Sequence, residues 1–137
     1  MRLWAVLAVA PLAAGVSACS SIKDLIVTPT AFGAFTVAKD SGAVFKSVQA
    51  YALRCYQERD YDHKTTIEAR FSDNRKTGEV SVVMRGIDAT KYTMHISLDA
   101  LGPNETEVKV RDLSASEAEH RLDGLKAAAR GGAAVCT

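Results

Sequence analysis

Four consecutive segments of the chain alternate apolar and polar residues with a period of two, which narrows the fold more than any other feature. Thr65 to Phe71 sets Ile67, Ala69 and Phe71 against Thr66, Glu68 and Arg70; Glu79 to Arg85 sets Val80, Val82 and Met84 against Ser81, Val83 and Arg85. Tyr92 to Leu101 puts Tyr92, Met94, Ile96, Leu98 and Ala100 on one side, with Thr93, His95, Ser97 and Asp99 on the other. Glu105 to Asp112 sets Thr106, Val108 and Val110 against Glu107, Lys109 and Arg111. Side chains of a strand point alternately to its two faces, so each segment reads as a half-buried strand. Turn-forming residues lie between them, Asp73-Asn74 with Gly78 and then Gly102-Pro103-Asn104. The pattern predicts an antiparallel sheet with one buried and one solvated face.

A sheet with one apolar face needs a cover, and two helical patterns flank the strands. Asp40 and Ser41 stand where a helix cap belongs, and Val44, Val48, Tyr51 and Cys55 then recur at helical spacing, predicting a helix over roughly 41–57. Ser114-Ala115-Ser116-Glu117 fits a capping box ahead of a stripe of Ala118, Leu122, Leu125 and Ala129, ended by Gly131-Gly132. Ala34 to Ala38 adds a short strand before the first helix, and the charged stretch from Glu58 to Lys64 reads as an exposed connection. The expected fold is a two-layer α+β sandwich, an antiparallel four- to five-stranded sheet with two helices packed on one face. Its core is Ile67, Phe71, Val82, Met84, Ile96, Leu98, Val108 and Val110 against Val48, Leu122 and Leu125.

The start of the chain has a different character. Arg2 precedes an apolar run from Leu3 to Leu12 that is too short to span a bilayer, and small residues lead into Cys19. Val16, Ser17, Ala18 and Cys19 meet in order the lipobox pattern, a small aliphatic residue, two small residues and a cysteine. The segment thus resembles the signal of bacterial prolipoproteins. That resemblance implies removal of residues 1–18, lipid on Cys19, and a membrane contact made through that lipid. Ser20 in place of an aspartate implies sorting to the outer membrane, on its periplasmic face. Residues 19–30 then form the lipidated start and a tether, Ser20 to about Pro29 reaching roughly 35 Å when extended. Residues 31–137 form a single periplasmic domain. Without the resemblance, the same run reads as a plain secretory signal or an uncleaved helix.

Lipidation of Cys19 leaves Cys55 and Cys136 out of 3 cysteines. An even pair in an oxidising compartment reads as a disulfide. The alternatives are a buried thiol at Cys55 with Cys136 unpaired, or a metal pair, which lacks second ligands at suitable spacing. Loss of Arg2 with the leader brings the 17 basic residues level with the 16 acidic ones. That balance argues against nucleic acid, which requires an excess of Lys and Arg to neutralise phosphates.

No catalytic motif is present. Asp60, Asp62 and His63 match no closed metal pattern and read as a solvated loop, so no metal or cofactor is expected. His95 and His120 read as surface histidines, and no serine or cysteine is visibly placed beside a base. What remains is the polar sheet face, where Glu68, Arg70, Arg85, His95, Asp99, Lys109 and Arg111 form a candidate docking face for another envelope protein or a glycan. In its lipobox, its Tyr51-Ala52-Leu53-Arg54-Cys55-Tyr56 segment and its late second cysteine, the chain resembles small proteobacterial envelope lipoproteins of unknown function. The expectation is a non-catalytic binding or envelope-assembly module, the alternative being a small-ligand binder with a groove between helices and sheet. A concave apolar pocket of about 300 Å³ or more separates the second from the first.

Overall fold

The computed structural model describes residues 31–59, 62–133, 135 and 136. The leader, Cys19 and the tether lie outside the described residues, as does Asp60. In chain order the elements are β1 (Ala31–Val37), α1 (Ser41–Cys55), β2 (Glu58–Arg59), β3 (His63–Phe71), β4 (Thr77–Gly86), β5 (Thr90–Gly102), β6 (Glu105–Asp112) and α2 (Ala115–Ala129). All paired strands are antiparallel, in the spatial order β1-β6-β5-β4-β3-β2. The protein is a two-layer α+β sandwich: five long strands, the two-residue β2 at one edge, and both helices on one face.

The sequence explains the layers. Asp40 caps α1, its Oδ1 accepting the Ala43 amide at 3.0 Å, and Val44, Val48 and Tyr51 then point into the sheet with at most 1% exposure. Leu125 and Ala129 do the same from α2, with Ala128 beside them at 6%. Both helices rest on Val80, Val82, Met94, Ile96, Leu98, Val108 and Val110, with Ile67 and Leu122 partly buried at the margins. Helix α2 stops at Gly131, whose φ of +81° is open to glycine at little cost. The Gly131 amide bonds the Ala128 carbonyl (2.9 Å) and the Gly132 amide the Ala127 carbonyl (3.0 Å). The tail then returns along α1. The Tyr51 hydroxyl donates to the Val135 carbonyl at 3.3 Å, and Cys136 is disulfide-bonded to Cys55, Cα–Cα 5.2 Å.

Four local expectations need correction. Glu58 and Arg59 are not a bare connection but an edge strand, paired with Thr65 and Lys64; charge marks exposure, and an edge strand is exposed while still hydrogen-bonded. Ser114 is the N-cap of α2, yet its side chain makes no capping bond, and Glu117 turns to Arg121 one turn ahead instead. The Ser114 amide that Glu117 would accept from is already bonded to Asp112 Oδ1 at 2.8 Å. Strand β5 breaks its alternation: the register with β4 slips between Val82 and Val83, so that Val82 pairs with Met94 and Val83 with Tyr92. Thr93 is the extra residue of this bulge and joins Met94 on the helix side, while Tyr92 swings to the outer face and donates to Glu68 Oε2 at 3.1 Å. Lastly, Val83 and His95 lie on the outer face but are buried, at 0% and 2% exposure.

Candidate functional site

The pairing register sets out the outer face of the sheet as a grid. Glu68, Ser81, His95 and Arg111 stand in one row, Arg70, Glu79, Ser97 and Lys109 in the next and Asp99 in the row beyond, with Arg85 on the same face two rows to the other side of Glu68. The seven residues of the candidate docking face therefore do share one surface. Several of their charges are already matched there. Arg85 Nη2 lies 2.5 Å from Glu68 Oε1, Lys109 lies 3.1 Å from Glu107, and the Arg111 guanidinium sits 5.2 Å above the Phe32 ring.

His95 is not a surface histidine. Its Nδ1 lies 2.9 Å from Ser81 Oγ, and burial first, then Arg111, lowers its pKa, with Glu79 acting the other way. The imidazole is therefore neutral at pH 7. A serine beside a neutral imidazole is the start of a nucleophilic pair, which the sequence had not revealed. The rest of such a site is missing around it. Ser81 is only 3% exposed, and β4 is paired on both sides, so the amides beside Ser81 serve the ladder and not a developing oxyanion. The pair ties β4 to β5 as a buried hydrogen bond.

The helix layer fills the middle of the sheet and leaves it open at both ends. At the Cys55 end, the close of α1, the start of α2 and the β4–β5 hairpin enclose a groove of about 550 Å³ over Val82, Met84, Thr93 and Met94. Its polar wall centres on Asp112. The alternation of β6 brings this carboxylate to the helix side at 2% exposure, where Arg121 Nη1 bonds both oxygens at 3.1 and 3.2 Å and the Ser114 amide a third time at 2.8 Å. The Arg121 guanidinium also reaches Glu117 and lies 5.7 Å over the Tyr56 ring. The Tyr56 hydroxyl is buried with no hydrogen-bond partner. Burial above all raises its pKa far beyond the ordinary tyrosine value; nearby Tyr51 adds to this and Arg121 opposes it. The Tyr51 hydroxyl, which donates to Val135, lies nearby but forms no bond of normal distance and angle with the Tyr56 hydroxyl. His63, Thr65 and Lys91 complete the rim.

At the other end a wider groove of about 960 Å³ runs between the start of α1, the β3–β4 turn and the β5–β6 turn. Phe45 and Phe71 stack on its floor with ring centroids 4.8 Å apart. They settle onto Gly78, where a Cβ would stand 2.9 Å from one ring and 3.0 Å from the other. Among the described residues no group of three or more His, Cys, Asp and Glu gathers as metal ligands would, and no helix is long and apolar enough to cross a membrane.

No protein-family model matches the chain, and no curated protein matches it either. Several solved structures are similar in part. The di-domain ARO/CYC StfQ from the steffimycin biosynthetic pathway has a TM-score of 0.40 at 17% identity, covering 74% of this chain and 44% of that one. This chain thus spans less than half of StfQ. A conserved protein from Geobacillus kaustophilus has a TM-score of 0.34 at 11% identity, covering 69% of this chain and 83% of that one. Similarity at this level has no bearing on activity.

Sequence reasoning raised a groove between helices and sheet as an alternative, but not the residues of the Cys55-end groove. One signal was present: extending the β6 alternation of Thr106, Val108 and Val110 by two places puts a carboxylate, Asp112, on the apolar face, and a buried carboxylate requires a partner. Arg121 and Tyr56 meet it only through the folding of the two helix ends.

Proposed function

We propose that this protein is a lipid-anchored envelope module, held through Cys19 at the periplasmic face of the outer membrane, that binds a small polar ligand in the Cys55-end groove without transforming it. The observation that carries this reading is the Tyr56 hydroxyl, buried and unpartnered in the wall of a groove of about 550 Å³. A buried hydroxyl without a partner costs roughly 1–3 kcal/mol, and a ligand acceptor that displaces the side chains covering it recovers that cost. With its pKa raised, the phenol stays protonated and offers a hydrogen-bond donor. The Asp112–Arg121 pair is satisfied within the wall, so it shapes the groove. A methionine-lined floor suits an apolar portion of the ligand. A docking role for the outer face is the weaker reading, because its strongest charges are paired among themselves.

Ligand binding is tested by a thermal-shift screen of small hydrogen-bond acceptors on the complete chain carrying Cys19→Ser. Stabilising compounds should lose their effect in Tyr56→Phe and keep it in Arg70→Ala on the outer face. Compounds that stabilise both variants equally would rule out the groove. The anchor is tested by Cys19→Ala, which should give a soluble periplasmic form or an uncleaved precursor; a cleaved protein that still partitions with lipid would refute it.

A further inference from the structure

We infer that the groove at the Asp40 end of α1 is a second binding site, for a single-chain amphiphile whose anionic head, a carboxylate or a phosphate, meets Arg75, Lys76 and Lys46. Three independent features converge there. The first is apolar surface in contact with water: Leu101 is 56% exposed beside the stacked Phe45–Phe71 pair, in a groove of about 960 Å³. That volume lies within the range of small-molecule sites, roughly 300–1,000 Å³. The second is charge. Lys46, Arg75 and Lys76 line the groove, and none of them has an ion-pair partner among the described residues. Asp40, the one acid in the wall, already serves as the cap of α1.

The third feature is backbone conformation. Arg75 has φ +55°, the left-handed region, and is the one non-glycine residue among the described ones to do so. Glycine or asparagine fits such a turn position with less strain, and strain of this kind collects where function needs a particular side chain. The turn is held firmly in this state. Ser41 Oγ, at the start of α1, donates to the Arg75 carbonyl at 2.6 Å, and the Ala100 amide bonds the Lys76 carbonyl at 2.7 Å. Two neighbouring elements thus fix a strained arginine at the rim of an apolar groove. A tail lying on Phe45 and Phe71 places its head among these cations.

The test is isothermal titration of the complete chain with Cys19→Ser, so that no attached lipid competes, using single-chain C12 probes below their micelle concentrations. Dodecanoate or dodecyl phosphate should bind saturably and at least about tenfold more tightly than dodecyltrimethylammonium, since one charge-assisted contact is worth about that factor. The tighter of the two anions identifies the head, a free fatty acid or a lipid phosphate. Arg75→Gly should weaken the anion about tenfold while leaving the melting temperature unchanged or higher, because it removes strain together with the guanidinium. Lys46→Ala with Lys76→Ala, both exposed, should weaken it as well, and Tyr56→Phe at the opposite end should not. Equal affinity for the cationic and anionic probes, absence of saturable binding by either anion, or an Arg75→Gly protein that binds as the wild type would each overturn the proposal.

Discussion

Tyr56→Phe removes one oxygen and nothing else. The ring keeps its edge-on contact with Tyr51, centroids 5.6 Å apart, and its place under Arg121. Since the hydroxyl is buried without a partner, its loss forfeits no hydrogen bond and relieves a desolvation cost of roughly 1–3 kcal/mol, part of which returns as a small void. The net expectation is a gain of about 1 kcal/mol. Tyr51→Phe is the control: its hydroxyl does have an acceptor, the Val135 carbonyl, so that variant should lose roughly 0.5–1.5 kcal/mol. The two tyrosines, close in sequence and in contact, should respond with opposite signs. Urea unfolding at neutral pH with the disulfide intact measures both, provided the slopes match that of the parent. A second readout comes from alkaline pH. With its pKa raised, folded Tyr56 keeps its proton above 10.0, where the unfolded chain releases it, so stability is full below that pH and declines above it. Tyr56→Phe should remove that part of the decline. A Tyr56→Phe protein less stable than the parent by about 1 kcal/mol would show that the hydroxyl is bonded within the folded chain, and the argument for a ligand acceptor would fall.

Other expectations follow from features already described. Replacing Cys55 and Cys136 by serine opens a loop with sequence separation 81 and should cost up to about 4–5 kcal/mol, read from non-reduced and reduced melts; an unchanged melt would mean that the tail contributes nothing. Ile96→Ala, at a fully buried position, should cost roughly 2–5 kcal/mol, and Thr93→Ala in the bulge under about 1 kcal/mol, with equal costs contradicting the register. Because burial lowers the pKa of His95, the unfolded chain takes up its proton first as pH falls. Stability is therefore full above about 6.5 and drops below it, a slope that His95→Gln should flatten in acid titrations followed by circular dichroism.

Much of the architecture was written in the period-two segments. β6 and the inward residues of β3 and β4 can be read straight from the sequence, because each strand is half-buried and alternation is then the whole signal. Strand β5 shows where this ends. A bulge inserts a residue without altering composition, so Tyr92 and Thr93 exchange faces while the sequence continues to alternate. His95 and Val83 show a second limit: a position on the solvated face can still be covered by long neighbouring side chains, and pattern reports direction, not depth. The grooves were less legible still. Asp112, Arg121 and Tyr56 belong to three elements brought together only by the packing of helix ends on the sheet, and Arg75 is conspicuous only once its φ is known.

The bond between Cys55 and Cys136 closes β2 to β6 and α2 into one covalent ring, leaving β1 and α1 as the only described elements outside it. A force applied between Ala31 and Cys136 can therefore lengthen only the stretch up to Cys55, roughly 80 Å when fully drawn out, against roughly 360 Å for the reduced chain. Peeling β1 from β6 and unwinding α1 would use up that slack, and the rest of the sheet would remain shielded from the load. A proteolytic nick in any turn of the ring would likewise leave a single covalently connected molecule. Oxidation thus divides the domain into an extensible leading part and a part that tension along the chain cannot reach.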